Sequence, residues 1–161
     1  MYLLPAEWRD FAIFFRRARK IQFVRGTDRV VAVERDLGHA EQRSDAQHVC
    51  ASRYDTHCVP PEWQSLIDQL RGLDLRQQIE IANRAINRHP YVPTSVNWHR
   101  SMYWESPFEF LRYGGQCQDY AITKYLLLRA AGVPADAMRM VVLRDAAISL
   151  DHAVLAVYVD G

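Results

Sequence analysis

The residue best placed to do chemistry is Cys117, which directly follows Gly114-Gly115-Gln116. The run that begins there, CQDYAITKYLLLRAA, predicts a helix with the cysteine in its first turn. In that seat the unpaired backbone N–H groups and the positive end of the helix dipole stabilise a thiolate, the nucleophilic form of cysteine. The two glycines are expected to let the backbone approach a substrate closely and to leave the sulfur accessible. A base for this nucleophile is His152, between Asp151 and the β-rich run AVLAVYV. An imidazole on a strand, brought beside a thiol on a helix start, can take the thiol proton and return it to a leaving group. Each residue alone is equally consistent with a structural role; the pair is what suggests chemistry. His39, His48, His57, His89 and His99 have no comparable partner in sequence and are expected on surfaces or in loops.

The elements that must position this pair can be read from residue 60 onward. Pro60 and Pro61 open a helix whose apolar residues Trp63, Leu66, Ile67 and Leu70 recur at helical spacing, and Gly72 ends it. Asp74 caps a second helix with Leu75, Ile79, Ala82 and Ile86 along one stripe and Pro90 beyond its end. So short a connection predicts a helical hairpin. Residues 91–105 read as an aromatic loop. Ser106, Pro107 and Glu109 then stand at the spacing of a capping box, predicting a short helix over 107–113 that Gly114 and Gly115 stop. The cysteine helix, over 117–131, is apolar around most of its circumference and so belongs in the middle of a domain. Two β-rich runs, 138–143 and 153–159, follow, separated by a loop over 144–151. Helices first and strands afterwards give an α+β fold with an antiparallel sheet.

Composition sets outer limits. The chain has 161 residues, 49% hydrophobic and 24% charged, which suits one domain, or one domain with an arm, and excludes disordered, collagenous and coiled-coil classes. A net charge of +1 gives no electrostatic reason to expect nucleic acid as a partner. No apolar run is long enough for a transmembrane segment. The division expected is an N-terminal arm over 1–59 and a domain over 60–161. Within the arm, residues 5–20 suit an amphipathic helix, 30–33 a short strand and 38–52 a loop. The apolar FAIFF precedes the basic RRARK, the reverse of secretory order, so no signal peptide is visible. Cys50 and Cys58 lie close together in a polar stretch, far from Cys117. A disulfide between them, implying an oxidising compartment, stands beside the alternative of three reduced thiols. Zinc held by Cys50, Cys58 and His48 or His57 fits no strong ligand spacing.

The segments PPEWQSLIDQL, QQIEIANRAIN, YWESPFEFLRYGGQCQDYAITKYLLLRAAGVP, MRMVVL and DHAVLAV resemble the bacterial transglutaminase-like cysteine proteinases, a group that includes the LapG-type periplasmic proteases. The block Gly-Gly-x-Cys-x-Asp-Tyr-Ala with the later Asp-His-Ala-Val is the specific part. The resemblance implies a papain-like, transglutaminase-like fold in which N-terminal helices precede a central helix carrying the cysteine, and an antiparallel sheet carries the histidine. It makes Cys117 the nucleophile and His152 the general base of a peptidase working through a thioacyl intermediate. The family's third catalytic residue, an aspartate on the strand after the histidine's, falls beyond Gly161, so the domain is expected to be truncated at its C-terminus, with strands missing. Asp160 lies too far along the strand to replace it, and Asp151 faces the other way.

LapG-type members bind calcium through acidic residues at the positions of Gln116, Gln118 and Asp119. Only Asp119 is acidic here, so no cofactor is expected to be required and a tight calcium site is not expected. Asp119 in a first helical turn also suits the helix dipole without any metal. The backbone N–H of Cys117 is the natural oxyanion donor, with Trp104 and Asn97 as candidates for a second donor or for substrate contact. The implied partner is a protein substrate, a surface adhesin in the LapG-type branch, where cleavage releases biofilm cells; the implied location is the periplasm. A transglutaminase or amidase using the same pair, and a catalytically impaired peptide-binding module, are the alternatives.

Overall fold

Prolines, caps and glycines set the helix boundaries. The computed structural model describes residues 2–4, 58–145 and 150–159; the helix, strand and loop expected over 5–20, 30–33 and 38–52 lie outside them. Helix α1 (Pro61–Leu70) has Pro61 at its first position, where the missing N–H would have had no partner, and it buries Trp63, Leu66, Ile67 and Leu70. Asp74 accepts the N–H of Gln77 at 3.0 Å and starts α2 (Leu75–Ile86), which buries Ile79, Ala82 and Ile86. Gln78 Nε2 donates to the Leu70 carbonyl at 3.0 Å, so the expected hairpin is also tied by a polar contact.

Residues 91–105, expected to be loop throughout, contain the one-turn helix α3 (Thr94–Asn97), entered from Pro93. Helix α4 (Pro107–Tyr113) has the full capping box. Ser106 N–H donates to Glu109 Oε2 at 2.7 Å, and Glu109 N–H donates to Ser106 Oγ at 3.3 Å. Gly114 ends it with φ 71°, a left-handed conformation that suits glycine. Helix α5 (Cys117–Ala130) follows and runs through the core.

Strand β1 (Tyr2–Leu4) is a departure from the expected layout. It pairs antiparallel with β3 (Leu150–Val157), which also pairs antiparallel with β2 (Met138–Asp145), giving the order β1-β3-β2. Residues 2–4, placed in the expected arm, thus pair into this sheet. Strands β2 and β3 also reach further into the expected 144–151 loop. Ala153 to Val157 of the central strand are all buried, and α5 packs against β3. Cys58 is disulfide-bonded while Cys117 is a free thiol; Cys50 lies outside the described residues. Among the described residues no helix is long and apolar enough to cross a membrane.

Burial of α5 extends to residues that sequence pattern assigns to solvent. Lys124 is 2% exposed, and its ammonium donates to Asn83 Oδ1 at 2.9 Å and lies 5.8 Å from the centre of the Tyr120 ring. Burial pulls its pKa down to about 7. Between that value and the ordinary 10.5 the unfolded chain holds more protons, so the wild type gains stability as pH rises through this window. Below it both states are protonated and the full cost of burying the charge remains. Lys124→Met is therefore expected to stabilise the fold at pH 7 by about 1 to 3 kcal/mol, and Asn83 Oδ1 keeps its contact from Asn87 Nδ2. Denaturant unfolding at pH 7 and pH 9 checks this. The gap between variant and wild type narrows at the higher pH, and a variant less stable than wild type at pH 7 contradicts it.

Candidate active site

The two glycines before the cysteine are required by the protein's own packing. The N–H of Val92 donates to the Gly115 carbonyl at 3.0 Å and the N–H of Gly115 donates to the Pro90 carbonyl at 3.3 Å, so residues 90–92 lie along the entry to α5. A Cβ at Gly114 would overlap the Pro90 carbonyl, and one at Gly115 would stand 2.8 Å from the Asp119 carboxylate. The close approach expected for a substrate is thus made by the chain itself.

Asp119 organises the helix start. It is wholly buried; its Oδ2 accepts the Gln116 N–H at 2.8 Å, and its Oδ1 accepts the Glu105 N–H at 2.9 Å. Burial, with the nearby Glu105 and Glu109 charges, pushes its pKa up to about 7 against the pull of those two N–H groups. Glu105 is wholly buried too. Its Oε1 accepts from Trp98 Nε1 at 2.6 Å and from Asn97 Nδ2 at 3.2 Å, while Oε2 has no hydrogen-bond partner among the described residues. Burial raises the Glu105 pKa.

This network gives Asn97 a different job from the one expected. Its amide also donates to the Gly114 carbonyl at 3.2 Å, so its hydrogens hold the loop to the helix start and are not free for an oxyanion. Trp104 packs against the hydrophobic core. His89, expected at the surface, is largely enclosed, with Nε2 3.4 Å from Glu62 Oε1 and its ring 5.3 Å from that of Phe110.

Cys117 and His152 line one small cleft, together with Tyr120, Ala121, Lys124, Ala153, Val154 and Leu155. Its free volume of about 10 Å³ is room for roughly one water molecule. The Ala153 N–H favours the Cys117 thiolate, so the sulfur lies near β3 at the residue next to His152. The N–H groups of Gln118 and Cys117 also favour the thiolate, as a helix start predicts. Burial outweighs them, with the Asp119 charge adding to it, and the thiol pKa is raised. The expected lowering is therefore corrected: local helix geometry supplies the donors, but desolvation by the packed strand dominates. Asp151 is exposed, and Asp160 lies outside the described residues.

Sequence reasoning missed three contributors: the Ala153 N–H, Glu105 and Tyr91. The Tyr91 phenol is held above its ordinary pKa by partial burial and by the negative charges of Cys117 and Asp119, which places it near the thiol. A signal existed only for Glu105, a lone charge inside the aromatic stretch YWESP.

Residues 37–161 match the family described as bacterial transglutaminase-like cysteine proteinase BTLCP. The chain belongs to this family of cysteine peptidases. Its helices and small antiparallel sheet are a transglutaminase-like fold, as expected. Among solved structures it is similar to Legionella pneumophila LapG in calcium-bound form, with 30% identity and a TM-score of 0.56 over 80% of this chain and 66% of that one. The EGTA-treated LapG structure matches at 29% identity and TM-score 0.57, over 80% of this chain and 64% of LapG. The chain thus spans slightly less than two thirds of LapG's length. No curated protein matches it. The family match begins at residue 37, upstream of the first resembling segment, which starts at Pro60.

Proposed function

We propose that this transglutaminase-like proteinase chain hydrolyses peptide bonds with Cys117 as nucleophile and His152 as general base. The observation that carries the reading is the shared cleft, which Cys117 and His152 line together. Because the resting thiol is hard to ionise, His152 removes its proton as the sulfur attacks the carbonyl carbon. The N–H of Cys117 faces the developing oxyanion. Collapse breaks the C–N bond, and the imidazolium gives its proton to the leaving amine. Water, deprotonated by His152, then attacks the thioester and releases the acid and the thiol. The same thioester offered to an amine would give transfer instead of hydrolysis.

A protein substrate is supported by the exposed apolar side chains of Tyr91, Val96, Met102 and Tyr113 on the segments that flank the helix start. A surface adhesin cut in the periplasm is the substrate class and setting that the LapG-type resemblance favours.

Calcium, bound in one LapG structure, fits the present residues poorly. Both Asp119 oxygens already accept backbone N–H groups, the flanking positions are neutral Gln116 and Gln118, and the described residues contain no group of three metal-binding side chains. No step above is routed through it.

The test is capture by a peptidyl vinyl sulfone, read by intact mass and peptide mapping. One adduct on Cys117 is expected, absent in Cys117→Ala, whose thermal unfolding stays close to wild type. Equal labelling of Cys117→Ala, or no labelling of the wild type, refutes the assignment.

A further inference from the structure

Three oxygens from three different places converge beside the nucleophile, and a side-chain amide fills the space between them. Gln118 Nε2 lies 3.3 Å from Gln116 Oε1, 3.3 Å from Asp119 Oδ2 and 3.5 Å from the Tyr103 carbonyl oxygen. Its other end, Oε1, accepts from the Cys117 thiol at 3.5 Å. The orientation follows from chemistry: a reversed amide would aim a carbonyl oxygen at three other oxygens. Gln116 Oε1 is held in turn by the Thr94 hydroxyl at 3.2 Å.

We propose that the Gln118 amide is a built-in bridge that makes the start of α5 independent of calcium. Oxygens drawn from a carboxylate, an amide and a main-chain carbonyl are the set a hard cation prefers. Here the partial positive charge of an NH₂ group meets them instead. Its two hydrogens are shared among three acceptors, so each contact is long, yet together they join the aromatic loop, the N-cap and the first helical turn. Gln118 is a positioning residue: it acts on the helix start and on the thiol's hydrogen bond, not on substrate. The proposal stands apart from the peptidase reading because thermal melting tests it without turnover.

The experiment compares melting of the whole chain in calcium at about 1 mM, the weak end of protein sites, and in EGTA. Wild type is expected to melt at the same temperature in both. Gln118→Glu replaces the donor with oxygens facing Asp119, so its melting temperature is expected to fall by about 5 °C or more in EGTA and to recover in calcium. A wild-type melting temperature raised by calcium overturns the proposal and points to the unpartnered Glu105 Oε2 as a ligand. A folded Gln118→Glu that ignores calcium overturns it as well. Should that variant fail to fold, the wild-type comparison decides alone.

Discussion

Replacing His152 by alanine is expected to slow capture of a peptidyl electrophile by Cys117 about 10²- to 10⁴-fold at neutral pH, the usual contribution of a positioned general base. The size follows from the raised thiol pKa. Had the sulfur rested as a thiolate, loss of the base would matter less for the first attack. With a half-buried thiol whose pKa is raised, proton removal belongs to the reaction itself. The pH profile separates the two cases. The variant's labelling rate should keep climbing as hydroxide replaces the imidazole, up through the thiol's raised range, whereas the wild type levels off earlier. Stopped-flow labelling across pH 6 to pH 10 measures both, and a variant within tenfold of wild type at pH 7 rejects the general-base role.

Asp119→Ala is expected to be the most damaging change to stability. It leaves the buried N–H groups of Glu105 and Gln116 without acceptors, each costing about 1 to 3 kcal/mol, and it removes the contact that seats residue 105 against α5. The sum is a large part of the roughly 5 to 15 kcal/mol that holds an ordinary domain folded. Urea unfolding followed by tryptophan fluorescence is the check, since Trp98 donates to Glu105 and reports on the same network. A loss below about 1 kcal/mol would mean that water or rearranged donors replace the carboxylate.

The helices were legible because local chemistry at their ends decides them. Pro61, Asp74, Ser106 with Glu109, and Gly114 each act within a turn, and the observed bounds of α1, α2, α4 and α5 fall within a residue of expectation. What was hidden depends on distant partners. Strand β1 is three residues long and exists by pairing with β3 from the other end of the chain. The single turn α3 is too short to show a period. Asn97 looks like a free donor until the Gly114 carbonyl and Glu105 are brought to it. The thiol shows the same division: its helix-start donors could be read from Gly-Gly-Gln-Cys, but the burial that outweighs them comes from β3.

The place of β3 between β1 and β2 has a consequence for biosynthesis. Tyr2 is made long before its partner Val157, and His152 lies on the same late strand as that partner. Closing so long a loop is slow and comes late in folding. The nascent chain therefore carries Cys117 before the strand that bears His152 has been made. Under the proposed roles of the two residues, the thiol would meet its base only once β3 has docked between its neighbours.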